Sequence, residues 1–124
     1  MFTISQAIGQ LSGGSDFYIA LGDFLDEFYR QDDKTRQAMI SDEPACTGIT
    51  PEHAALFAAT AHKLANDYKL TVPEWVMDKK YRLVEKPYFD CNAKGNLRLL
   101  FMYKSPTEFK YRNLFVDENF LMRV

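Results

Sequence analysis

The sequence predicts an all-α fold, a single compact domain of about six or seven helices with strand content near zero. Three observations carry this. Apolar residues recur at helical spacing in most segments. Helix-start signals, a capping side chain followed by proline or a carboxylate, recur along the chain. And 124 residues at 47% hydrophobic and 15% aromatic are enough for one core and too few for several.

The elements follow in order. Ile4, Ala7, Ile8 and Leu11 form one helical stripe; Thr3 and Gln6 stand at capping-box spacing, and Gly13-Gly14 stops the helix. Ser15 or Asp16 caps the next helix. It places Phe17, Leu21, Phe24, Leu25 and Phe28 on one face and Asp16, Asp23, Glu27 and Arg30 on the other, with Asp26 and Arg30 spaced for an i,i+4 ion pair. Gln31-Asp32-Asp33 reads as a turn and 34–40 as a short helix with Met39 and Ile40 inward.

Ser41 to Thr50, with Pro44 and Gly48, is a loop and the natural boundary between two halves, 1–45 and 50–124, of one domain spanning 1–124. Thr50-Pro51-Glu52 opens the longest helix: a capping hydroxyl, a proline at the first helical position, then a carboxylate at the positive dipole end. Phe57, Ala61, Leu64 and Tyr68 form its stripe, and its alanines permit close packing.

Thr71-Val72-Pro73-Glu74 begins a short helix carrying Trp75 and Val76. An irregular segment follows, around 78–95, pinned by Tyr88 and Phe89. Leu97 to Tyr103 fits helix by its Leu and Met content and strand by its aromatics; it reads as helix because a lone strand leaves its backbone groups unpaired. Ser105-Pro106-Thr107-Glu108 has the pattern of a capping box with proline just inside. Asn113 ends that helix, Leu114-Phe115-Val116 is extended and buried, and Asp117 caps a last turn holding Phe120 and Leu121.

Several function classes lack a signature. No apolar run approaches the length of a membrane span, and the N-terminal residues lack the basic stretch and apolar block of a secretory leader. Two cysteines do not make a disulfide framework, so the expected compartment is the reducing cytoplasm. Cys46, Cys91, His53 and His62 lack metal-ligand spacing; the two histidines stand nine residues apart on one helix, about 13–14 Å of rise, too far for one ion to bridge. Neither a nucleophile elbow nor a phosphate-cradling glycine loop is present. No catalytic residue, metal or cofactor is therefore assigned, and the carboxylates of the second helix read as a solvated face.

Charge is distributed unevenly. Residues 1–78 hold five Lys/Arg against twelve Asp/Glu, a sum of −7; residues 79–124 hold ten against five, a sum of +5, so the net −2 hides a dipolar chain. Within the basic half, Arg98, Lys104, Lys110 and Arg112 are the candidate residues for binding a partner or nucleic acid, with Lys104 to Arg112 as the approach surface. Lys110 and Arg112, two apart on a helix, point about 200° from one another, so one face holds at most one of them. If Arg112 is buried, a carboxylate is expected beside it.

Pro73-Glu74-Trp75-Val76, Pro87-Tyr88-Phe89, Leu97-Arg98-Leu99-Leu100, Lys104-Ser105-Pro106 with Phe109, and Arg112-Asn113-Leu114-Phe115-Val116 follow one another in a distinctive order. In that order they resemble an uncharacterised bacterial domain that ends small proteins, sometimes behind a helix-turn-helix, and is often encoded beside nucleotidyltransferase-like toxins. The resemblance covers roughly 50–124. It implies an antitoxin-like or regulatory partner rather than an enzyme, and the family has no established catalytic residues to carry over. The chain departs from the longer members in having no recognisable helix-turn-helix before the matching region.

The expectation is thus a cytoplasmic, non-catalytic helical interaction module that binds a protein partner. The alternative is a nucleic-acid-binding regulator using the basic C-terminal half, and the third reading is a small enzyme whose site assembles across helices. The alanine-rich helix and the many aromatics also suit a homo-oligomer.

Overall fold

The computed structural model describes residues 2–14 and 16–123. The fold is all-α: the chain is 60% helical and 3% strand. Among the described residues the elements are α1 (Ile4–Ser12), α2 (Phe17–Arg30), α3 (Asp33–Ser41), α4 (Pro51–Asp67), 3-10 turns at Glu74–Met77 and Lys79–Tyr81, β1 (Tyr88–Phe89), a 3-10 turn at Asp90–Asn92, α5 (Gly95–Lys104), α6 (Thr107–Lys110) and β2 (Leu114–Phe115).

Local chemistry explains the first four helices. The Thr3 hydroxyl accepts from the Gln6 N–H while the Gln6 side chain accepts from the Thr3 N–H, a complete capping box. Asp16 caps α2 by accepting from the Tyr18 and Ile19 N–H groups; Ser15 lies outside the described residues. Asp32 caps α3, and Thr50 caps α4 with Pro51 at the first helical position. Arg36 of α3 closes the C-terminus of α2 by donating to the Phe28 and Tyr29 carbonyls, its guanidinium over the rings of Phe28 and Tyr68.

α4 is the hub. Ala54 through Ala61, then Leu64 and Ala65, are all buried, so this helix is apolar nearly all round and other elements wrap it. α1, α6 and the two 3-10 turns of 74–81 pack on it. Trp75 anchors the first of those turns by donating its indole N–H to the Ile40 carbonyl at the end of α3. One continuous cluster of buried residues runs from Ile4 to Leu121 and draws on both sides of the 41–50 loop.

Two local expectations are corrected, and the extended 114–116 segment gains a partner. The extended 114–116 segment is not alone: β1 and β2 form a two-residue parallel pair with Tyr88 opposite Leu114 and Phe89 opposite Phe115. The Phe89 and Phe115 rings stack at 5.0 Å, and part of the irregular 78–95 segment is thereby ordered. Asp26 does not pair with Arg30. Arg123, arriving from the C-terminal turn, takes both Asp26 oxygens, and Arg30 pairs with Glu27 instead.

Ser105 does not cap α6, whose first turn has no side-chain cap. The Ser105 hydroxyl accepts from the Val116 N–H at 2.8 Å and stands within donating reach of the Phe101 and Val116 carbonyls, at 2.5 and 2.9 Å. A buried hydroxyl satisfies the backbone of β2's flank here instead of the helix start.

Candidate functional site

α5 differs from every other long helix of the fold. Of its ten residues only Phe101 is buried, and that ring lies outside the continuous core cluster. Its main neighbour is β2. Leu99 and Tyr103 stand two residues either side of Phe101, about 200° around the helix, and four apart from one another, so they share the outward ridge. They are 64% and 75% exposed. Leu97, Leu100 and Met102 lie on the flanks at roughly half exposure.

An apolar helix normally buries such a face. This one presents it to solvent.

The cations flank that face. Arg98, on one side, folds its guanidinium over the Phe89 ring at 4.0 Å, and Lys104, on the other, lies near the Tyr103 ring at 5.4 Å. Lys110 reaches back from α6 and donates to the Tyr103 carbonyl at 2.8 Å. All three are exposed, none belongs to an ion pair among the described residues, and α5 itself contains no carboxylate. Arg98 and Lys104 thus stand on α5 itself, and Lys110 contacts its last turn.

Arg112 is not part of that surface. It is fully buried, behind α6, with 0% exposure. Among the described residues no carboxylate hydrogen-bonds or ion-pairs with it, contrary to expectation. Its guanidinium donates to the Val76 carbonyl at 2.6 Å and the Glu108 carbonyl at 2.8 Å, and faces His62 Nδ1 at 3.2 Å, while its Nε has no partner among the described residues. Neutral carbonyl dipoles replace the anion, so burial lowers the Arg112 pKa to about 10, with Tyr111 and Glu108 opposing the fall. The side chain bolts α4, α6 and the 74–77 turn together. Lys110 is exposed and Arg112 buried, but not as two residues of one helix: α6 ends at Lys110, and Arg112 follows in the turn beyond it.

The other candidate chemistry is disposed as follows. His53 stacks on Phe17 at 4.4 Å, and burial lowers its pKa below the usual histidine range. Cys46 lies by the Pro44 carbonyl, and burial pushes its thiol pKa up, the opposite of an activated nucleophile. Among the described residues no group of three or more His, Cys, Asp or Glu is placed to hold a metal ion. No helix of the described residues is long and apolar enough to cross a membrane.

Sequence reasoning missed the bare face of α5. The signal was present: six of the seven residues from Leu97 to Tyr103 are apolar, more than one buried stripe needs. Comparison with protein-family models, curated proteins and solved structures finds no match for the chain.

Proposed function

We propose that the chain is a non-catalytic helical interaction module that binds a protein partner through α5, in the manner of an antitoxin-like or regulatory protein. The outward ridge of Leu99 and Tyr103, flanked by Met102 and Leu100, is the observation that carries it. Burying each large apolar side chain contributes roughly 1.5–3 kcal/mol, so covering this face rewards a partner by several kcal/mol before association costs.

The basic rim selects the partner's character. Apolar centre and charged periphery is the anatomy of a specific interface, and unpaired Arg98, Lys104 and Lys110 suit a groove edged with carboxylates. A symmetric pairing of two α5 helices places like charges against one another, which disfavours a second copy as the occupant. Cys46 and Cys91, both free thiols, suit a reducing cytoplasm.

The test is co-expression with the product of the neighbouring gene. The expected result is a complex that co-elutes on a sizing column and that the double substitution Leu99→Glu with Tyr103→Glu dissolves. Clean separation of the two proteins, with a neighbour that is harmless alone, overturns the reading.

The three unpaired cations also support a second reading, nucleic-acid binding. It requires salt-dependent association that weakens when Arg98, Lys104 and Lys110 are neutralised. A flat titration at low salt removes it.

A further inference from the structure

Asp90 presents a different problem from anything on α5. It is 95% buried in the sense that only 5% of it is exposed, and among the described residues it takes part in no ion pair. Two phenols converge on one of its oxygens: Tyr18 and Tyr88 both donate to Oδ1, the latter at 3.0 Å. Among the described residues Oδ2 has only the Cys91 thiol, a weak donor at 3.4 Å. An ionised carboxylate has about four acceptor positions and is costly to bury without a cation.

The phenols cannot supply that cation, and they hold their protons firmly. Burial, with Asp90 adding to it, raises the Tyr18 pKa to about 12, and burial likewise pushes Tyr88 up. Both therefore act as neutral donors.

Asp90 lines a cavity of about 160 Å³ whose other walls are Tyr18, Leu21, Gly22, Leu25, Phe120 and Arg123. Arg123 does not neutralise Asp90, because both of its carboxylate hydrogen bonds go to Asp26. Its guanidinium instead lies flat beside Gly22, 3.0–3.1 Å from where a Cβ would stand, and the missing side chain gives it room.

We infer that this cavity binds an alkylammonium group, with Asp90 as its anionic partner and Leu21, Leu25 and Phe120 as the apolar wall for its carbon chain. A cation supplies what the buried carboxylate lacks, and aromatic faces favour it further. At about 30 Å³ for each water-sized group, the cavity admits roughly five non-hydrogen atoms. That is the size of a short primary amine or of the end of a lysine side chain. The site is independent of α5 and of the partner proposed for it.

The test is a titration of the whole chain with n-butylammonium chloride, followed by amide chemical shifts, against n-butanol, sodium butyrate and sodium chloride at matched concentration. Saturable shifts at Gly22, Asp90 and Cys91 are expected with the amine alone, with magnetisation transfer from the butyl chain to Phe120 and the Leu21 and Leu25 methyls. Asp90→Asn is expected to weaken binding at least tenfold. If that variant loses its dispersed spectrum, the transfer experiment on the unaltered chain decides alone. Shifts that sodium chloride reproduces, no transfer to Phe120, or full affinity in a folded Asp90→Asn each overturn the proposal. Nα-acetyl-lysine methylamide separates the two sources: binding at least as tight as butylammonium's points to a lysine on a partner, and exclusion points to a free amine.

Discussion

The guanidinium of Arg112 faces Nδ1 of His62 across 3.2 Å, two nitrogenous groups in contact with no carboxylate among the described residues hydrogen-bonded or ion-paired to either. A guanidinium only donates, so Nδ1 must be the unprotonated, accepting nitrogen. The pair is compatible only while His62 is neutral.

Acid should therefore loosen the fold. Burial first, then the Arg112 charge, lowers the His62 pKa below its ordinary 6.5, and burial lowers that of His53. The unfolded chain takes up these protons before the folded one does. Stability is then complete above about pH 6.5 and declines as pH falls through the unfolded histidine range toward the lower folded values. Urea midpoints measured from pH 7.5 to 5 should fall, and His62→Gln should flatten part of that fall, leaving the His53 share. An unchanged slope in His62→Gln contradicts this account.

Arg112 itself is held by geometry more than by charge. Arg112→Ala leaves the Val76 and Glu108 carbonyls and His62 without their donor and opens a void, so a loss of about 3 kcal/mol is expected in urea denaturation. Arg112→Lys should recover only part of it, because an ammonium does not reproduce the planar fork. A loss under about 0.5 kcal/mol for the alanine variant removes the bolt from the description.

The two sides of α5 should respond oppositely to substitution. Phe101→Ala removes the one buried ring of the helix and is expected to cost about 3 kcal/mol. Leu99→Glu with Tyr103→Glu changes only solvent-facing groups and should shift stability by no more than about 0.5 kcal/mol each. Thermal unfolding of the three proteins checks this; a large loss in the outward variant means that α5 is packed more tightly than Leu99 and Tyr103 indicate.

Ser105→Ala distinguishes a helix cap from a bridge to the strand. The hydroxyl accepts from the Val116 N–H, so its loss strands a buried donor at a cost of about 1–3 kcal/mol. Amide hydrogen exchange should accelerate at Val116 and not at Thr107 or Glu108. The reverse pattern restores the capping role.

Much of the architecture was legible because it is local. Thr3, Asp16 and Thr50 cap the helices whose starts they mark, and the Phe17–Phe28 stripe faces inward as its spacing demands. What failed was decided at a distance. Ser105 carries a capping pattern, yet Val116, eleven residues on, claims its hydroxyl. Asp26 has a suitable arginine four residues away, yet one from the far end of the chain displaces it. Among the candidate site residues, Arg98, Lys104 and Lys110 are exposed on and beside α5 while Arg112 turns inward, and the spacing of Lys110 and Arg112 in the sequence did not say which of them would be hidden. The apolar excess of 97–103 was visible, but only packing reveals which of those side chains find no neighbour.

The excursion that carries α5 leaves and returns at adjacent points: Phe89 pairs with Phe115, and Ser105 holds Val116, the next residue along. The foundation and the display are thus separable. Leu99, Met102 and Tyr103 are free to drift under selection for a new acquaintance while the pegs beneath them stay put. Lineages of this protein should then diverge fastest on that outward ridge and slowest at the two anchoring points.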